Sequence, residues 1–300
     1  TNSAANRVIG PHLDQRNLPV VQGFIGSTRD GATTTLGFEG SDYTATILGA
    51  ALDASDIQIW KDVSGLMTAD PEIYEGARTV KVCTYREAAD LTYFGAKVLH
   101  PKAIQPAAAK NISVHIYNSK RPEARGTSIA AKAPRCSNPV KSIAYKRPIN
   151  LLRIEQEPVV DGARAVSSNE FLRNVLLALN RNRVNPLMTT VSASTVVLAI
   201  DSHGTPGSAE RDLAEELSRF SRISSEPDHA IVSLVGEELP ADRQLAGRVF
   251  KALGNIPVRA MLHGSSPLSM SFVVAQGEVE KVISRLHEDL FKKCDPKVFE

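Results

Sequence analysis

Three short stretches of this 300-residue chain combine glycine with charged or hydroxyl side chains in patterns that could bind and transfer anionic groups. In the first, residues 33–52, Gly37 and Gly40 allow a tight turn after a β-branched run, and Ser41 or Asp42 can cap the helix that follows. Exposed N–H groups and the positive end of the helix dipole then favour a phosphate or a carboxylate. The same pattern also describes a capped helix with no ligand.

In the second, residues 57–71, the apolar run Ile-Gln-Ile-Trp delivers Lys61 and Asp62 to the end of a strand. Open α/β sheets bind ligands at that edge, and Gly65 lets the backbone turn close to whatever is bound. A cation beside a carboxylate there suits a phosphate and its metal, or else a surface ion pair. In the third, residues 93–101, Gly95 and Lys97 fall near the end of an apolar helix that Pro101 terminates, with Lys97 in reach of a phosphate. His100 reads as a helix C-terminal cap or a packing residue rather than a catalyst.

These residues need a scaffold that alternates strands and helices. The runs Val-Val-Gln-Gly-Phe-Ile, Thr-Thr-Thr-Leu-Gly, Ile-Gln-Ile-Trp and Ile-Ser-Val-His-Ile-Tyr are separated by helical stretches at 41–52 and 86–99. That order predicts a mostly parallel sheet with helices on its faces. Residues 126–148, rich in Ala, Lys, Pro and Ser, read as a linker or the edge of one.

Beyond the linker the chain repeats itself. Phe171, Val175, Ala178, Leu179 and Val184 match Leu245, Val249, Ala252, Leu253 and Val258, each pair 74 positions apart. Each segment reads strand, helix, strand, strand, helix, the βαββαβ ferredoxin-like plan with a final strand open to sharing or swapping. The divisions expected are 1–135, 136–224 and 225–300.

Composition removes several classes of partner. With 35 basic and 33 acidic side chains, the net charge of +2 is too small for the basic face that nucleic acid requires. Three scattered cysteines, Cys83, Cys136 and Cys294, form no C-x-x-C pair and suggest a reducing compartment with no metal site. No apolar run is long enough to span a membrane, so a cytoplasmic, soluble protein is expected.

The series Gly-Ser-Asp at 40–42, Trp-Lys-Asp-Val at 60–63, Thr-Ala-Asp-Pro at 68–71 and Phe-Gly-Ala-Lys-Val-Leu-His-Pro at 94–101, followed by a βαββαβ pair, resembles the aspartokinase family. The resemblance runs from about Pro19 through Phe291, and the tandem units are similar to amino-acid-binding ACT domains. It implies an α/β fold: the C-terminal part of an amino-acid-kinase-like, mostly parallel sheet with helices on both faces, followed by two α+β ferredoxin-like ACT domains. It also implies ATP-dependent phosphorylation of L-aspartate to 4-phospho-L-aspartate, the first step towards lysine, threonine and methionine, with Mg²⁺ carried by the nucleotide.

On this resemblance, Gly40, Ser41 and Phe38 fall at the aspartate site, and Asp42 organises the reacting groups. Lys61, Asp62, Met67 and Glu72 fall on the nucleotide loop, and Lys97 and Val98 at a second ATP contact, where Lys97 neutralises phosphate charge. Three features depart from the family pattern. Phe38-Glu39 stands where many members have Arg-Gly, Glu72 where an Arg commonly follows Asp-Pro, and Lys61 where Thr is frequent. The family's opening strand and Lys-Phe-Gly-Gly phosphate turn do not precede Val20, so the chain is expected to begin inside a longer protein and to be inactive unaided.

For the regulatory half, the resemblance places an amino-acid effector, lysine first and threonine second, between the helix at Phe171-Leu172 and the turn from Asn185 to Ser192. It also implies a homodimer joined through the ACT domains. The rival readings are a kinase of another small carboxylate, and a non-catalytic amino-acid sensor with a degenerate kinase remnant.

Overall fold

The computed structural model describes residues 2–37, 39–96, 98–100, 102–157 and 167–300, and two main sheets organise them. The polar opening, expected to be irregular, forms helix α1 (Asn2–Asp14). Ala5 is its buried residue, so the helix carries no apolar stripe for sequence reading to find. The run from Val20 to Ile25 contributes little strand: β1 (Ile25–Ser27) pairs antiparallel with β2 (Thr33–Thr35) in a small hairpin. Val20 is 93% exposed; with no sheet for it to join, its β-branched character decides nothing.

Next come α2 (Gly40–Ala51), β3 (Asp56–Lys61), β4 (Val82–Thr84), α3 (Tyr85–Tyr93), α4 (Ile104–Lys110), β5 (Ser113–Asn118) and β6 (Thr127–Ala130). The strands form one sheet in the order β3-β5-β6-β4, with β3–β5 and β4–β6 parallel and β5–β6 antiparallel. Ile57 and Ile59 alternate inward along β3, and Val114 and Ile116 along β5. Helix α1 lies against α2, where the Asn6 amide donates to the Ala51 carbonyl at 2.7 Å.

Helix α3 was expected to run to Leu99 and stops at Tyr93. Gly95 sits at φ +106°, a conformation that glycine adopts freely, and a Cβ there would lie 2.2 Å from the Tyr145 carbonyl oxygen. The chain therefore leaves the helix at a point where the second sheet presses against it.

The stretch read as a linker is mostly strand. After β6, the chain enters β7 (Val140–Gln156), which is followed by α5 (Ser168–Arg181), β8 (Met188–Val191), β9 (Thr195–Asp201) and α6 (Gly207–Leu217). Then come β10 (Ser221–Gly236), α7 (Leu245–Leu253), β11 (Ala260–Leu262), β12 (Ser269–Ala275) and α8 (Val279–Leu290). Alanine, lysine and proline mask β7 because its first half is buried on both faces and lacks alternation.

All six strands form one antiparallel sheet, β11-β12-β10-β7-β9-β8, which curls until its end strands β11 and β8 approach each other. It contains two ferredoxin-like units, the first continuous in sequence and the second taking its fourth strand from the first half of β7, ahead of the first unit. The second half of β7, with β9, β8 and the first half of β10, makes the first unit. The second half of β10, with β12, β11 and the first half of β7, makes the second. Thus β10 passes through the 224/225 division, and β7 serves both units. Each long strand carries a proline near its waist, Pro148 and Pro227, and the register shifts around Pro227, as expected where a ladder donor is missing.

Along β9, Val196, Leu198 and Ile200 face α5 and α6 in a small core, while Val197 and Ala199 join a larger one. That larger core is continuous from the four-stranded sheet through the second unit, from Ile57 to Phe299. The last residues return to the first sheet: Val298 accepts from the Lys81 amide at 2.7 Å, and Glu300 donates to Thr79 at 3.0 Å. No helix among the described residues is long and apolar enough to cross a membrane.

Candidate active site

The site starts from the turn before α2. Gly37 has φ +88° and Glu39, the residue before the helix, φ +57°. A Cβ on Gly40 would lie 2.7 Å from the Leu36 Cβ, so only glycine lets the helix begin there. Neither Ser41 nor Asp42 caps the helix. It starts at Gly40, two residues before a Ser41 cap would place it and three before an Asp42 cap would; Glu39 makes no side-chain cap bond, and Asp42 lies inside the first turn.

Asp42 is buried, and its Oδ2 accepts from Lys61 Nζ at 2.8 Å and from the His100 amide at 3.3 Å. Lys61 Nζ also lies 3.4 Å from Glu39 Oε1. The side chains of Lys61 and Asp42 are 16% and 7% exposed, so their attraction is screened less than that of a surface pair. The His100 ring stacks on Tyr43 at 5.6 Å, a packing role; it does not cap α3, which ended seven residues earlier. Lys61 thus pairs with Asp42 across the fold instead of with its neighbour Asp62, which is exposed. Adjacent residues of an extended chain point to opposite sides, so a Lys-Asp dipeptide at a strand end is poorly placed to act together.

Past Lys61 the loop 63–72 rides over β6. Gly65, at φ +101°, packs against Thr127, whose hydroxyl accepts from the Leu66 amide at 2.9 Å and donates to the Val80 carbonyl at 2.7 Å. The loop then meets β7. Ser142 Oγ donates to the Met67 carbonyl at 2.6 Å, the Ile143 amide to the Thr68 carbonyl at 2.8 Å, and Tyr145 Oη to Asp70 Oδ2 at 3.2 Å. Thr68 Oγ1 also sits 2.8 Å from His287 Nε2 on α8, where burial and the charge of Arg78 hold the imidazole down at about 4.

Between this loop and residues 95–98 lies a mainly apolar cleft floored by Ser142, Ile143, Ala144 and Tyr145. Met67, Glu72 and Val98 all line it, so the structure brings these three together. A wider opening adjoins it, with Glu39 and Glu72 on one side and Lys146, Arg147 and His203 on the other. Gly40 and Ser41 stand at the start of α2 near the Asp42–Lys61 pair, with Ser41 exposed. Phe38 and Lys97 lie outside the described residues.

In the first ferredoxin-like unit, α5 begins at Ser168, capped by Ser167 Oγ, three residues before the expected Phe171. Phe171 is 2% exposed and meets Phe220 edge to face, so its side chain packs the core. Leu172 packs against the same core, while Asn185 and Ser192 are exposed at the two ends of the segment that carries β8.

Sequence reading missed Tyr145 and Ser142 in the floor of the cleft, and Asp70 in the loop that walls it. Two lay in the presumed linker, and the available signal was Gly95, a glycine ending a helix with no turn motif around it.

Residues 3–118 match the amino acid kinase family, and residues 232–290 match an ACT domain. Lysine-sensitive aspartokinase 3 of Escherichia coli is 35% identical over 94% of this chain and 62% of its own length. The structure of E. coli aspartokinase III in complex with aspartate and ADP (R-state) superposes with a TM-score of 0.87 at 34% identity, covering 96% of this chain and 63% of the other. The same enzyme in complex with lysine and aspartate (T-state) gives 0.76 at 34% identity, covering 97% and 64%. The chain therefore spans less than two thirds of the length of these relatives.

Proposed function

We propose, for a chain that joins part of an amino acid kinase family domain to an ACT domain and is similar to aspartokinases along nearly its whole length, that it carries the nucleotide side of an L-aspartate kinase. The full-length protein then transfers the γ-phosphoryl group of ATP to the aspartate side chain, giving 4-phospho-L-aspartate. The observation that carries this reading is the buried Asp42–Lys61 pair at the start of α2, placed beside an apolar cleft walled by Met67 and Val98. The apolar cleft suits a flat base. A helix N-terminus with a nearby amine suits the charge that builds on phosphoryl oxygens.

Asp42 holds the Lys61 ammonium at the mouth of the site, and Gly40, Ser41 and Phe38 meet the aspartate. Met67, Glu72 and Val98 contact the nucleotide, with Lys97 on its phosphates and Asp62 at the loop's outer surface. Among the described residues no three acidic, histidine or cysteine side chains cluster as a metal cage. Mg²⁺ would then be held mostly by the nucleotide's own phosphates, with one or two carboxylates such as Asp42 and Glu39 nearby.

The ACT sheet is assigned to feedback by an amino acid, lysine before threonine, bound near Asn185 and Ser192, in a cytoplasmic homodimer. Exposed Leu176, Leu177 and Val191 on the first unit give that dimer an apolar surface. Calorimetric titration of this chain with ADP tests the nucleotide side. Saturation near one site per chain, weakened by Val98→Asp in the cleft wall, supports it; absence of any heat or thermal shift overturns it. Phosphoryl transfer by the full-length protein on a panel of small carboxylates then tests the substrate.

A further inference from the structure

We infer that Tyr145, on the ACT strand β7, is the positioning residue that sets the spacing between the two kinase-side walls of the nucleotide cleft. The inference rests on the nucleotide reading of that cleft. Tyr145 touches both walls with different parts of itself. Its hydroxyl donates to Asp70 Oδ2 on the loop 63–72, and its carbonyl oxygen lies where the absent side chain of Gly95 would be. It lines both the narrow cleft and the wider opening.

Asp70 in turn shapes the loop, because its other oxygen accepts from the Glu72 amide at 3.0 Å and its carbonyl from the amides of Ile73 and Tyr74. Movement of the tyrosine is therefore movement of the turn that carries Glu72. Half-burial and the nearby Asp70 carboxylate push the tyrosine hydroxyl up to about 12, so it remains a donor throughout the neutral range.

The neighbours of Tyr145 reach into the regulatory sheet. Lys146 pairs with Asp201 at the end of β9 at 2.7 Å, in the first unit. Arg147 pairs with Glu280 on α8 at 2.6 Å, in the second, while its guanidinium lies 5.4 Å from the centre of the Tyr145 ring. Three consecutive residues thus tie the cleft, the first unit and the second unit to one short piece of backbone. A shift of either unit relative to the other reaches the cleft through Tyr145.

The test is a double-mutant cycle read by ADP binding, using the parent chain, Tyr145→Phe, Asp70→Asn and the combination. Phenylalanine keeps the ring and the packing on Gly95 and removes the bond to Asp70. Each single change is expected to weaken ADP about tenfold, the worth of one hydrogen bond to a charged group. The double variant should bind no worse than the weaker single. Amide exchange should quicken at 66–70 and 94–96 and stay unchanged in β9. A parent chain that binds no ADP sinks the nucleotide reading and this inference with it. A parent that binds while Tyr145→Phe binds equally well, or singles whose effects add in full, overturns the inference and leaves the nucleotide reading standing.

Discussion

The fourth strands of the two units occupy equivalent places and lead opposite lives. The first half of β7 is buried from Val140 to Ala144 and half-buried after that, and its free edge is taken up by the loop 63–72 through Ser142 and Ile143. The first half of β10 alternates mostly between exposed and half-buried, and its outer edge carries no strand. Related units have thus been given different work by what covers one edge. The second unit is built into the larger core, whereas the first joins that core by one face of its strands and adds a small core of its own under α5 and α6.

The largest break in this contrast should come from Lys141. It is 1% exposed and pairs with Glu87 at 2.8 Å, and Glu87 also closes the capping box of α3 with Thr84. Lys141→Met leaves a carboxylate buried and uncompensated, and urea unfolding should show a loss of about 3–5 kcal/mol. Adding Glu87→Gln, which keeps the cap and removes the charge, should recover much of it. Arg222→Met on the exposed half of β10 should stay within about 0.5 kcal/mol of the parent. Equal losses at the two positions would erase the distinction.

A smaller effect separates two glycines. Gly95 and Gly264 both have positive φ, +106° and +85°, but an added Cβ meets the Tyr145 carbonyl in the first and open space in the second. Gly264→Ala should cost the backbone strain alone, about 1–3 kcal/mol. Gly95→Ala should cost more and also abolish ADP binding, as chemical denaturation and calorimetry would show together.

The next is a pH effect confined to the docked unit. His287 faces Thr68, Tyr74, Phe291 and the charge of Arg78, and its folded value of about 4 lies below the 6.5 of a free imidazole. The unfolded chain takes up a proton first as pH falls. Stability is therefore full above about 6.5 and declines progressively down to about 4. Melting curves across that window should flatten in His287→Gln, and amide exchange should show the acid-sensitive opening at Thr68 and α8 rather than at β9.

Smallest in stability is Val191→Lys on the edge strand β8. Val191 is 53% exposed, so the melting temperature should barely move. Light scattering should nevertheless register a lower mass if the first unit mediates the proposed dimer.

Legibility in the sequence tracked how local each feature is. Strands β3 and β5 and the two repeated helices were readable because their apolar residues recur with a fixed period facing a core, and α2 because a glycine turn precedes it. The 74-residue repeat exposed the pair of units, and the pattern allowed for a swapped strand. What stayed hidden was set by distant partners. The end of α3 depends on a carbonyl fifty residues away, α1 on a surface of α2, and the first half of β7 on being covered from both sides. The same holds for the site. Glycines and Asp42 announced the turn, but the partner of Lys61 came from another element, and the floor of the cleft came from a stretch with no motif.

The return of residues 298–300 to the strand segment at 79–81 fixes an order of events during synthesis. A ribosome releases the four-stranded sheet before residues 298–300, so the edge beside Val80 and the burial of Phe299 must wait for those residues to emerge. The first ferredoxin-like unit needs only residues 149–226 and can close while the rest is still being made. The element assigned to sensing therefore matures before the cleft it is to govern, and the nascent chain holds the contacts between 79–81 and 298–300 open until both have emerged.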